Sequence, residues 1–137
     1  FCLVRTSNPS GDVLQNAPLQ SGVTVAETVA GLVAALGNQY LGSTGWSSLG
    51  AVVGATKPQD ANQLRSLMPK QMFLMPGIGA QGAQIEDVSQ CFADGHGALA
   101  SASRSIIYAS NEEVHWQEAI ANAALKLANE FRIGKPA

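Results

Sequence analysis

The sequence predicts an α/β fold of four strand–helix units in series, with the strands parallel. Three observations carry this. Short apolar runs at 1–4, 51–53, 72–75 and 98–101 have the length of buried strands. Each is followed by a loop and then by a helix-start signal or a helically spaced apolar face. The runs are apolar throughout instead of alternating, as parallel strands covered on both faces are. Strands that alternate with helices pair in parallel and carry their helices outside the sheet.

The first run, Phe1-Cys-Leu-Val4, ends at the polar cluster Arg5-Thr-Ser-Asn-Pro-Ser-Gly11, and the turn formers Asn8, Pro9, Gly11, Asn16 and Pro18 predict a long loop as far as Gly22. Thr24 and Glu27 have capping-box spacing. Val25, Val29, Leu32, Val33 and Leu36 recur at helical intervals, which predicts a helix over 25–36 with Gly37 at its C′ position. The 42–50 segment, with Trp46 and three serines, is expected to be an irregular surface insertion. After the second run and Gly54-Ala-Thr56, Pro58 suits a first helical turn and Asp60 its positive end. Leu64, Leu67 and Met68 supply the apolar face, and Pro69 stops the helix. The third run leads into Pro76-Gly-Ile-Gly-Ala-Gln-Gly82 and a helix near 84–93. The fourth leads into Ser103-Arg-Ser105 and, through a second capping box at Ser110 and Glu113, into a last helix carrying Val114, Ile120, Leu125, Leu127 and Phe131.

The 137 residues suffice for one core and not for two ordinary domains. With 46% hydrophobic and 13% charged side chains and a net charge of −2, the chain has neither a disordered composition nor the basic field of a nucleic-acid binder. Its apolar runs are far shorter than the roughly 20 residues of a membrane span. The two cysteines, Cys2 and Cys91, lack any Cys-x-x-Cys spacing and read as buried free thiols of a reducing, cytoplasmic setting. An opening strand with no Met and no lead-in suggests a piece of a longer chain. A complete eight-unit parallel barrel has about 250 residues, so four units in 137 have the size of one half.

Chemistry in a parallel sheet sits at the carboxyl ends of the strands. Here those ends are Arg5-Thr-Ser7, Gly54-Ala-Thr56, the glycine-rich 76–82 turn and Ser101-Ala-Ser-Arg104. Small and hydroxylated residues with one cation or amide apiece make an oxyanion pocket: glycine lets amides approach phosphate oxygens, and arginine supplies a charged fork. Gly77-x-Gly79-x-x-Gly82 also matches the dinucleotide fingerprint. That fingerprint expects an acidic residue at the end of the next strand, where this chain has Ser103-Arg104.

Thr6-Ser-Asn-Pro9, Gly50-Ala-Val-Val-Gly-Ala-Thr56, Phe73-Leu-Met-Pro-Gly-Ile-Gly-Ala-Gln-Gly82 and Ser103-Arg-Ser-Ile-Ile107 follow one another at four strand ends. In that order they resemble the C-terminal half of orotidine 5′-phosphate decarboxylase, in particular the bacterial subgroup with this Thr-Ser-Asn-Pro form. The resemblance spans essentially the whole chain. It implies half of a (β/α)8 TIM barrel, usually homodimeric, that converts orotidine 5′-phosphate to UMP and carbon dioxide without cofactor or metal. It further implies that Ser7 hydrogen-bonds the pyrimidine, that Pro76 packs beside it, and that Gln81 reaches both base and phosphate from a loop shaped by Gly77 and Gly79. Arg104 and the amides around Ser103 become the phosphate clamp, and Thr56 lines the pocket floor.

The family's chemistry belongs to a lysine and an Asp-x-Lys-x-x-Asp motif in the N-terminal half. None of Asp12, Asp60, Asp87 and Asp94 has a lysine two residues on. The expected partners are therefore orotidine 5′-phosphate or UMP, together with the N-terminal half of the barrel or a second copy of the chain. Two other readings share the phosphate loops: another phosphosugar barrel enzyme, and a non-catalytic phosphate-binding or assembly module. His96 and His115 stand apart from metal-ligand spacing, the adjacent Glu112 and Glu113 complement a helix N-terminus, and Met68, Met72, Met75 and Trp116 read as packing residues.

Overall fold

Strand and helix alternate along the chain, and the strands meet in one sheet. The computed structural model describes residues 1–79, 82–92, 95–110 and 115–133. Its strands β1 (Cys2–Arg5), β2 (Ser47–Val53), β3 (Gln71–Pro76) and β4 (Ala98–Ser101) lie in sequence order, every neighbouring pair parallel. The helices are α1 (Asp12–Gln15), α2 (Val25–Gly37), α3 (Pro58–Leu67), α4 (Ile85–Val88), α5 (Ser103–Ile107) and α6 (Trp116–Ile133).

Register sorts the strand residues into two rows. Cys2, Ala51, Phe73 and Ala98 align across the sheet, as do Leu3, Val52, Leu74 and Leu99. Because neighbouring strand residues point to opposite faces, the two rows face opposite ways. The first row looks onto the helices. There Ala51, Val53, Phe73 and Met75 are fully buried with Ala30 and Val33 of α2, Ala61 and Leu64 of α3, and Met68. Each large side chain in that layer contributes roughly 1.5–3 kcal/mol by leaving water. Leu127 and Phe131 of α6 pack against the same core, and Phe131 meets the Phe92 ring at 5.3 Å. The second row is left open: Leu3 is 57% and Leu99 50% exposed.

Several elements follow their sequence signals. Thr24 Oγ1 accepts from the Glu27 amide at 3.2 Å while Glu27 Oε2 accepts from the Thr24 amide at 2.6 Å, completing the capping box. Pro58 opens α3, and the helix ends just before Pro69.

Others differ for identifiable reasons. Gly37 is not a left-handed C′ residue; its φ is −64° and it closes α2 in right-handed geometry. What glycine provides there is room, since a Cβ would stand 2.6 Å from Gln71 Nε2 and 2.8 Å from Ser47 Oγ. The segment at 42–50 is not wholly irregular. Gly42 and Trp46 close a hairpin turn, and β2 already begins at Ser47, whose buried hydroxyl donates to the Gly37 carbonyl at 2.9 Å. Polar spelling hid a strand whose first hydroxyl is satisfied by the end of α2. The long loop after β1 holds a 3-10 turn at Pro9–Gly11 as well as α1. The helix expected near 84–93 shrinks to α4 and a 3-10 turn at Ser89–Cys91. Cys91 is buried, but Cys2 only half so; both are free. Glu113 and Val114 lie outside the described residues.

Candidate functional site

The parallel order puts the carboxyl ends of all four strands along one edge, with Ser7, Thr56, Pro76 and the 101–104 segment side by side. At about 4.8 Å per strand, the ends of β1 and β4 stand some 14 Å apart.

At the β1 end, the Ser7 backbone is held by the segment that follows β2. From the loop after β2, Thr56 Oγ1 donates to the Ser7 carbonyl at 2.8 Å, and the Gly54 amide donates to the Arg5 carbonyl at 2.8 Å. Gly54 is in backbone contact with Ser7: a Cβ there would lie 2.7 Å from both Ser7 Cα and Ser7 N. Two residues before Ser7 stands Arg5, the largest fully buried side chain described, at 1% exposure. Its Nε donates to Asp60 Oδ2 at 2.7 Å, its Nη2 to Asp12 Oδ1 at 2.6 Å and its Nη1 to Gln15 Oε1 at 3.0 Å. Gln15 Oε1 also accepts from the Thr6 amide and the Thr6 hydroxyl, at 3.0 and 3.1 Å. Lys57 donates to Asp12 Oδ2 at 2.7 Å, tying α1 to the loop after β2.

Charge explains why this cluster holds. Burial works against the Arg5 guanidinium, but its hydrogen bonds to Asp12 and Asp60 outweigh that and raise its pKa above the ordinary value. Asp12 is held below the usual carboxylate range, first by the Lys57 hydrogen bond and then by Arg5. Only the Arg5 end is buried, and the two carboxylates reach it from the half-exposed side, so losing them would leave the buried guanidinium without its compensating charges.

At the β3 and β4 ends, Pro76, Gly77, Ile78, Ser101, Ala102, Ser103 and Arg104 line one cavity of about 130 Å³. Three positive-φ glycines bend the turn above it: Gly77 at 109°, Gly79 at 71° and Gly82 at 91°, values that side-chain-bearing residues rarely adopt. The Gly79 amide donates to the Ala83 carbonyl at 3.0 Å and closes the turn. A Cβ on Gly79 would stand 3.5 Å from Ser105 Oγ, so this turn lies against α5. Among the described residues, no carboxylate pairs with the exposed Arg104.

Of the residues singled out by sequence, Pro76, Ser103 and Arg104 thus share a cavity, Gly79 lies beside it, and Ser7 and Thr56 stand together at the other end of the edge. Gln81 lies outside the described residues. The Thr56 hydroxyl spends its hydrogen on Ser7. Missed altogether was the cluster of Arg5, Asp12, Gln15, Lys57 and Asp60. Its one sequence signal was a cation closing an apolar strand, since the partners are as many as 55 residues away.

A single parallel sheet, helices on one face and a polar, glycine-lined edge at the strand carboxyl ends define one half of a (β/α)8 barrel. No family model matches the chain. It is similar to orotidine 5′-phosphate decarboxylases of Deinococcus radiodurans, 48% identical over 133 residues, and of Rhodopirellula baltica, 38% over 141; each alignment takes in 96% of this chain and 46% of the relative. Solved orotidine-monophosphate decarboxylase structures are similar too. That from Toxoplasma gondii has a TM-score of 0.76 at 31% identity, over 96% of this chain and 49% of that one. That from Streptomyces avermitilis has 0.74 at 34%, over 98% and 44%. The chain is a homologue of the C-terminal half of orotidine 5′-phosphate decarboxylases. It spans about half the length of the curated relatives it matches.

Proposed function

We propose that these 137 residues form one half-barrel unit, the phosphate- and pyrimidine-binding side of an orotidine 5′-phosphate decarboxylase. The observation that carries this reading is the cavity shared by the β3 and β4 ends, with Arg104 at its rim bound to no carboxylate among the described residues and Ser7 further along the same edge. In this reading the 5′-phosphate is bound by the Arg104 fork and the amides around Ser103, because a planar guanidinium and first-turn amides both suit a multiply charged oxyanion. Ser7 meets the pyrimidine, Pro76 packs beside it, and Gln81 bridges base and phosphate across the glycine turn. Thr56 enters through the Ser7 carbonyl.

Decarboxylation leaves charge on a ring carbon, which calls for preorganised positive charge and a proton donor. The candidate cations along this edge are otherwise engaged: Arg5 and Lys57 are both paired with carboxylates, and Arg104 is given to the phosphate. The chemistry therefore falls to the complementary half-barrel, which also covers the open row of Leu3, Val52, Leu74 and Leu99. Free thiols at Cys2 and Cys91 fit a reducing, cytoplasmic setting. Among the described residues no helix is long and apolar enough to cross a membrane.

Carbon dioxide release from orotidine 5′-phosphate by the segment alone, by the complementary half alone and by the two mixed tests the division of labour. Turnover only in the mixture supports it, and turnover by the segment alone sinks it. Calorimetry of the mixture with UMP and with ribulose 5-phosphate tests the nucleotide, which is expected to bind far more tightly than the sugar phosphate.

A further inference from the structure

Arg5 has the least exposed charged side chain described, yet its side-chain hydrogen bonds go to α1 and α3 and not to Ser7, Thr56 or the β3–β4 cavity. Its partners show what it does. Asp12 and Gln15 belong to α1, in the loop that follows β1, and Asp60 belongs to the first turn of α3. Arg5 thus joins three segments by three hydrogen bonds from a single planar group, whose rigid fork leaves little freedom in where they stand. The junction passes directly to the loop backbone: the Gln15 oxygen that takes the Arg5 hydrogen bond also takes those of the Thr6 amide and hydroxyl. Thr6 is bonded to Ser7, and Gly11 lies in close contact with the Thr6 hydroxyl. The register of β1 shifts between Leu3 and Arg5, so the irregular end of the strand falls at the junction.

We propose that Arg5, acting through Gln15 and Asp12, is a positioning residue that sets where Ser7 stands at the mouth of the site. This rests on the reading of Ser7 as the group that meets the base. Among the described residues, none of the hydrogen bonds of the Arg5 cluster reaches the residues that line the phosphate end at β3 and β4, so the two ends of a bound nucleotide respond differently when the cluster is broken.

The test measures UMP and inorganic phosphate binding by calorimetry in the complete barrel, for the wild type and for Arg5→Met, Arg5→Lys and Gln15→Leu. Gln15→Leu cuts the link between Arg5 and Thr6 without burying an unpaired charge, and it decides the matter should Arg5→Met fail to fold. The expected result is a roughly tenfold or greater loss of UMP affinity in Arg5→Met and Gln15→Leu, the worth of one hydrogen bond to the base. Phosphate affinity stays at the wild-type level, and Arg5→Lys recovers part of the loss. Unchanged UMP affinity in Gln15→Leu overturns the proposal. So does an equal loss of UMP and phosphate affinity, which marks a general structural role. A wild type that binds phosphate but not UMP overturns the base-binding reading itself, and that control separates the two failures.

Discussion

Two residues of the strand-end edge carry separable consequences. Arg104 has no carboxylate partner among the described residues and stands at the rim of the β3–β4 cavity, so truncating it sacrifices little structure. Arg104→Ala is expected to weaken UMP binding by about ten- to a hundredfold, the worth of charge-assisted hydrogen bonds, while the urea midpoint stays put. Arg104→Lys should recover only part, since an ammonium keeps the charge and loses the fork. Gly54 is the opposite case. Its Cβ would collide with the Ser7 backbone at 2.7 Å, and neither backbone can yield without breaking the bonds from Gly54 and Thr56. Gly54→Ala is expected to cost about 1–3 kcal/mol in urea unfolding.

At the level of elements, the loop after β1 and the start of α2 are held by carboxylates whose pKa values are depressed. Lys57 and Arg5 hold Asp12 down, and the Thr24 backbone and side chain hold Glu27 down. A depressed carboxylate contributes stability that is complete above its unfolded-state value and disappears as pH falls through its folded-state value. Urea midpoints measured from about pH 7 to about pH 3 should hold steady and then decline below the ordinary carboxylate range. Asp12→Asn should start from a lower midpoint at neutral pH and decline less, because part of what acid removes has already gone. An identical acid decline in the variant would show that the Asp12 junction contributes nothing to folding.

For the molecule as a whole, the sheet has two outer strands, β1 and β4, and an apolar row with Leu3 and Leu99 half exposed. Unpaired strand edges and an apolar face both recruit partners. The segment studied alone should show concentration-dependent association in sedimentation, and adding the complementary half should replace it with one defined species. Serine at positions 3 and 99 should weaken self-association. A single monomeric boundary at high concentration would count against this.

Local chemistry decided much of this in advance. The α2 capping box, the proline-led α3, the four apolar strands and the glycine turn at 77–82 all depend on residues a few positions apart, and so their spacing was legible. Short-range signals misled where a distant neighbour took over: Gly37 is glycine because Gln71 and Ser47 press on it, and the serine-rich start of β2 is a strand because Gly37 accepts its hydroxyl. The Arg5 cluster was invisible for the same reason. A buried cation is tolerable only where carboxylates from α1 and α3 converge on it, and chain order says nothing about that convergence until the strands have paired.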